Sequence, residues 1–299
     1  MYAANMWTPF VSAVNPFSRE ETYTPRTVWT YRILAVLSWL LLIITSFYYS
    51  LHAPEDDKPK WRHTIWEINH LYKTSYSLNA HIVEVYWVIL FVLQIGYFWH
   101  IFSSKTENVY AATRIGSHFI LNNLLQFAFI MLFVRSHFIW AEVIAILNFG
   151  NLAFLYLRHP SSIPLIHIPA VSGPLAWTFI AIYWNGAIAV HQDTLAAKIV
   201  AYVAIWGILV FGGFFLIAFK DYSIGFALAI LTASLGVRQH HRKGEHLQWI
   251  FAFVIMAALF VASLGIAIPV ALGREVRFRR EEAAAAEPDA ERAPLLDDH

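Results

Sequence analysis

Apolar residues run along this chain in blocks of about twenty, separated by short polar or proline-rich breaks. That is the length an α-helix needs to cross the hydrocarbon of a bilayer. Read in order, the blocks predict spans at Val28–Leu51, His81–Phe102, Ala112–Val134, Phe138–Leu157, Gly173–His191, Lys198–Phe219, Tyr222–Val237 and Leu247–Leu272. The expected fold is all-α: a polytopic integral membrane helical bundle with about eight transmembrane helices. Residues 1–27 are polar and turn-rich, with Asn15-Pro16 and Thr24-Pro25, and read as a cytosolic N-terminal segment. Residues 52–80 form the longest break between spans. It starts with PEDDKPK and continues as WRHTIWEINHLY, where Trp61, Ile65, Ile68 and Tyr72 recur at helical spacing. That pattern predicts a short amphipathic helix lying on the interface as a lid. Pro160, Pro164 and Pro169 predict a kinked approach to the fifth span rather than regular helix.

Polar residues inside the spans are not scattered evenly. His118, Asn122 and Gln126 lie four apart in HFILNNLLQFAFIMLFV and so share one helical face. The fourth span carries Glu142, Asn148 and Asn151, the fifth Trp177, Tyr183, Trp184, Asn185 and His191, the second Glu84, Trp87, Gln94 and His100. Polar groups at bilayer depth cost free energy unless they find partners, so they should face the bundle interior or a cavity. Two roles fit. They can bond across helices, for about 0.6 kcal/mol each on average. Or they can line a ligand pocket, in which case the binding residues are Trp87, Asn122, Gln126, Asn148, Asn151, Trp177, Trp184 and Asn185. Glu84, Glu142 and His118 are the candidates for a proton relay. The last three spans differ: Gly225, Ala229 and Ala233, with Ala258 and Ala262, make small-residue stripes suited to close helix packing. The organisation expected is therefore 1–27 N-terminal segment, 28–191 five-helix pocket-forming module with its lid loop 52–80, 192–273 three-helix supporting bundle, and 274–299 disordered cytosolic tail.

Composition narrows the class. Of 299 residues, 58% are apolar and 14% charged, against about 45–50% and 25% for soluble domains. The chain has 12 Trp, 14 Tyr and 23 Phe, residues that bilayer interfaces and aromatic pockets use. With no Cys, disulfides and thiolate metal sites are excluded. A net charge of +1 gives no argument for nucleic acid. The first 26 residues lack an apolar core before a small-residue cleavage site, so no cleaved signal peptide is expected. His100, His118 and His191 lie near span ends, where imidazole can snorkel to water, and His240, His241 and His246 are exposed loop residues, so a metal role is not the favoured reading for either group. Hydrolysis inside a membrane wants convergent His and Asp at depth. Here Asp193 and Asp221 sit at span ends and nothing marks a nucleophile, so an enzyme is not the favoured reading. No cofactor is indicated.

Charge sets an expected topology. Eight spans leave both ends on one side, with twelve Lys and Arg there against nine on the other. The run REVRFRR directly after the last span tips the balance towards cytosolic termini. In the tail, Glu291-Arg-Ala-Pro-Leu295-Leu296 fits the acidic dileucine pattern and resembles signals read by clathrin adaptors. An endosomal or vacuolar membrane is expected, with the endoplasmic reticulum as the alternative.

The strings VEVYWVILFVLQIG, LNNLLQFAFIMLF, AEVIAILNFGNLAFLYL and GPLAWTFIAIYWN resemble, in order, helices two to five of the translocator/tryptophan-rich sensory protein (TspO-like) family. Trp177 and Asn185 stand at that family's spacing. Val85 replaces a proline of the pattern and Leu125 a tryptophan, and three extra spans follow. The resemblance implies a five-helix fold whose bundle binds tetrapyrroles, sterols and other apolar ligands beneath the loop between helices one and two. It also implies Trp87, Asn122, Trp177 and Asn185 as pocket residues. The whole chain resembles an uncharacterised fungal multi-pass membrane protein family, which implies no function. Three functions are compatible with these patterns. The favoured one is binding or transport of an apolar or amphipathic small molecule between spans 2 and 5. The others are an intramembrane enzyme acting on a lipid, and a scaffold or trafficking protein whose tail is its active part.

Overall fold

The computed structural model describes residues 23–55, 62–158, 163–191, 194–241 and 246–273. Ten helices are named here in chain order: α1 Pro25–Leu51, α2 Ile65–Leu71, α3 Ala80–Ile101, α4 Thr106–Arg114, α5 Gly116–Phe133, α6 Phe138–Arg158, α7 Pro164–Val190, α8 Leu195–Phe219, α9 Tyr222–His241 and α10 His246–Ala271. No strand occurs among the described residues.

Local chemistry sets the helix starts. Thr24 accepts from Thr27 N at 3.3 Å, and Pro25 takes the first position of α1, where its missing N–H costs nothing. The lid helix α2 has a reciprocal cap: Thr64 accepts from Glu67 N at 3.2 Å, and Glu67 accepts from Thr64 N at 2.8 Å. Asn79 caps α3. In α7, Pro164 opens the helix and a π turn at Ile168–Ser172 contains Pro169. Proline withholds an N–H and loosens the helical ladder. Two side chains of α3 bond carbonyls at that weak point: Gln94 donates to Pro169 O at 3.1 Å and Tyr86 to Gly173 O at 2.7 Å. The predicted kink is thus an irregular turn within a helix longer than the predicted fifth span.

Among the described residues, seven helices are long and apolar enough to cross a membrane: α1, α3, α5, α6, α7, α8 and α10. The remaining predicted span, the seventh in chain order, is α9, which has 20 residues but is less apolar. Its position explains this. It packs on α10, α8, α7 and α3, so it meets protein on most sides and needs little lipid-facing surface. Outer faces of the other helices carry exposed Ile44, Val92, Ile146, Ile217 and Val261, while Asn, Gln and Ser are buried within. A polar interior inside an apolar shell is the pattern of a bundle solvated by lipid. The stretch before α5, expected to be a short turn, contains the additional helix α4, whose sequence TENVYAATR is amphipathic but too polar to count as part of a span.

α1 packs on α5, α5 on α6, and α6 on α7. α3 lies against α9 and the first part of α7. Between α1 and α3 the contact is by side chains, through Trp39 Nε1 to Gln94 Oε1 (2.7 Å) and Arg32 Nε to Ile101 O (2.9 Å). Towards the other end of these two helices a space remains, and the loop between them closes over it.

Candidate ligand cavity

The space is a cavity of about 400 Å³ at the lid end of the bundle. Its walls are helical stripes. α3 gives Glu84, Trp87, Val88 and Phe91, and α5 gives Gln126, Phe129, Ile130 and Phe133. Each set has i, i+3, i+4, i+7 spacing, which puts all four side chains on one face. Trp177 and Trp184 of α7 lie two turns apart, α1 contributes Ser46 and Ser50, and α2 adds Ile65 and Trp66 from above. Rings meet at the corners: Trp87 and Trp177 at 5.5 Å, Trp177 and Trp184 at 6.0 Å, Trp66 and Trp184 at 6.1 Å between centroids. The indole N–H groups of Trp66 and Trp177 are buried without a protein acceptor.

The lid is fastened by one buried amide. Asn69 of α2 donates to Leu78 O at 2.8 Å, and its Oδ1 accepts from Leu78 N and from Trp184 Nε1, each at 3.0 Å. The loop is further held from the C-terminal helices. Asn79 N donates to Ser234 Oγ at 2.9 Å, Gln239 to Thr74 O at 3.0 Å, and Gln248 to Ser75 O at 3.2 Å. α9 and α10 therefore hold this loop in place.

The sequence-predicted residues divide into two groups. Trp87, Gln126, Trp177 and Trp184 line the cavity, and Glu84 lies at its rim. Asn122, Asn148, Asn151 and Asn185 do not; they bond across helix seams. His118 Nδ1 donates to Asn151 Oδ1 (2.7 Å), while Asn151 donates back to His118 O (3.1 Å). One turn along, Asn148 donates to Asn122 Oδ1 (3.0 Å), and Asn123 donates to Ser38 of α1 (3.2 Å). The predicted shared face of His118, Asn122 and Gln126 is present, turned mainly to α6. Asn185 donates to Phe138 O (2.9 Å) and Glu142 Oε2 (2.8 Å), joining α7 to α6. Glu142 rests against Gly186, where a side chain would crowd the carboxylate. Glu84, Glu142 and His118 thus occupy three separate places and form no relay chain with one another. The sorting residues Glu291, Leu295 and Leu296 lie outside the described residues.

At the opposite end of the bundle, Asp221, in the turn between α8 and α9, is buried and accepts from three directions. Its Oδ2 takes Tyr156 Oη (2.9 Å), His167 Nε2 (2.8 Å) and Ser172 Oγ (2.9 Å). Its Oδ1 takes Ser223 N (2.9 Å), Ser223 Oγ and Ile224 N (3.3 Å). Burial alone would raise its pKa, but the bonds from His167, Ser223 and Ser172 outweigh it and hold the carboxyl below the usual range. Ser172 bonds the carboxylate rather than the imidazole, so these side chains form a structural clasp, not a nucleophile–base pair. Sequence reasoning saw Asp221 only as a span-end residue. Among the described residues, no three His, Asp or Glu side chains group closely enough to hold a metal ion.

Residues 198–296 match a family model described as fungal protein of unknown function (DUF1774). That stretch covers most of α8, all of α9 and α10, and the tail, and leaves out the cavity walls. It agrees with the resemblance to an uncharacterised fungal family. No curated protein and no solved structure matches the chain, and the likeness of spans 2–5 to the tryptophan-rich sensory family finds no support there.

Proposed function

We propose that this is a multi-pass membrane protein that binds or transports an apolar or amphipathic small molecule in the cavity between α1, α3, α5 and α7. The observation that carries this reading is the cavity wall: four tryptophans and four phenylalanines with a few polar groups, closed above by a pinned helix. Aromatic walls with sparse polar groups and a volume of this order suit a small-molecule site. α9 counts as an eighth span whose lipid exposure is low. On that count the segments before α1 and after α10 share the cytosolic side, consistent with REVRFRR after the last span. The Glu291/Leu295/Leu296 motif then addresses the protein to an endosomal or vacuolar membrane through a clathrin adaptor. The lid between the first two spans is where the tryptophan-rich sensory family would have its own, so a TspO-like arrangement of α1, α3, α5, α6 and α7 stays part of the proposal.

The test is thermal unfolding of the purified protein with and without its copurified lipid extract. Trp177→Ala removes a large contact surface and should weaken the ligand by about 1–3 kcal/mol. The extract should then raise the melting temperature of wild type but not of the variant. An equal rise in both rejects the cavity as the site.

A further inference from the structure

Among the described residues, one on the cavity wall bears charge, and it is an acid. Glu84 stands at the rim one turn before Trp87, its side chain 40% exposed. No Lys, Arg or His lines the space among the described residues. The ring planes turn around the space: Trp87 and Trp177 meet at 76° and Trp177 and Trp184 at 60°. Aromatic faces are electron-rich and attract a cation within about 6 Å, more strongly where water is excluded. An anionic head would meet those faces and Glu84 together. The polar groups on the wall are largely used: Ser46 donates to Leu42 O at 2.7 Å, and Gln126 accepts from Asn148. The spare indole N–H groups of Trp66 and Trp177 suit a neutral acceptor such as an ester or hydroxyl oxygen. Phe47, Leu51 and Val88 line the cavity and are also exposed on the outside, so the space opens sideways between α1 and α3, towards where acyl chains would lie.

Building on the cavity as a ligand site, we propose that its ligand is an amphiphile whose polar end is an ammonium group, quaternary or N-alkylated. Glu84 is the counter-ion, the indoles of Trp87, Trp177 and Trp184 the aromatic surround, and the side opening takes the chain. A strongly hydrated cation gains less here, because the walls cannot replace its water; a methylated ammonium loses little on entering.

The experiment uses the full-length protein in dodecyl maltoside, which carries no amine, at about pH 8. His81 stands 3.7 Å from the Glu84 carboxylate and is almost fully exposed, so all probes are compared at this one pH. The probes are dodecyltrimethylammonium, the neutral dodecyldimethylamine N-oxide of nearly equal shape, and tetramethylammonium with no chain. Titration calorimetry on wild type should give about tenfold tighter binding of the ammonium probe than of the amine oxide. Glu84→Gln should bring the two within about twofold while leaving amine-oxide affinity in place. Equal affinities in wild type, or a preference that survives Glu84→Gln, overturn the ammonium assignment and leave the cavity reading standing. Tetramethylammonium binding as tightly as the dodecyl probe overturns the amphiphile. If neither dodecyl probe binds, or a folded Trp177→Leu binds both as wild type does, the cavity reading itself falls.

Discussion

The indole N–H of Trp184 donates to Oδ1 of Asn69 at 3.0 Å. That bond joins the longest interspan loop to the wall of the cavity beneath it. The same amide satisfies both backbone groups of Leu78. Asn69→Leu would leave three buried polar groups without partners and should cost about 2–4 kcal/mol. Hydrogen exchange across residues 65–79 should rise more than in α5 or α6. Unchanged protection there would show that the lid is held by other contacts.

Asp221 links the α8–α9 turn to α6 and α7. Its folded-state pKa is depressed, so its stabilising contribution is present above the unfolded value of about 3.9 and is lost as pH falls below it. Melting temperature should therefore drop more steeply between about pH 4 and pH 2 in wild type than in Asp221→Asn. At neutral pH, that substitution should cost about 2–4 kcal/mol, since an amide cannot accept the same set of donors. Parallel pH profiles for the two proteins would refute the clasp.

Gly225 and Gly213 make a matched pair. A methyl group on Gly225 would run into Ser263 Oγ and Leu216, because α9 and α10 pack there in close contact. On Gly213 it would meet nothing within 4 Å. Gly225→Ala should destabilise by about 1–3 kcal/mol, whereas Gly213→Ala should be neutral or slightly stabilising through helix propensity. Thermal unfolding in one detergent separates them; equal effects would argue against close packing at the small-residue stripe.

Asn185→Leu should behave as the loss of an interhelical bond. It strands Glu142 and Phe138 O and should lower the melting temperature by the same amount with and without cavity ligand. A ligand effect that shrinks in the variant would bring Asn185 into the site after all.

How far the sequence carried the argument differs by residue. Blocks of about twenty apolar residues exposed the spans, since lipid demands that length. α4 was hidden because a nine-residue amphipathic segment carries no such demand. α9 was visible as an apolar run, but its central position was not, because its neighbours come from four other helices. Gln126, Trp177 and Trp184 were legible from spacing within single helices, whereas Trp87 came from the family resemblance. Trp66 sat in a segment already read as a lid; the Thr64–Glu67 cap that starts its helix emerged only in the structure. Gln126 on the cavity wall and Asn122 on a helix seam have similar chemistry in the same helix; only the packing of α1, α6 and α7 around α5 separates them. Asn69 and Asp221 gave no local signal, as their partners lie up to 115 and 65 residues away.

The most direct test of the central claim is native mass spectrometry of the full-length protein released from mild detergent, comparing wild type with Trp177→Ala. The account predicts a small-molecule adduct of defined mass on wild type, displaced by added dodecyltrimethylammonium and lost or much reduced in the variant. An adduct retained equally by both proteins, or a wild type that takes up neither copurified nor added amphiphile, would contradict it.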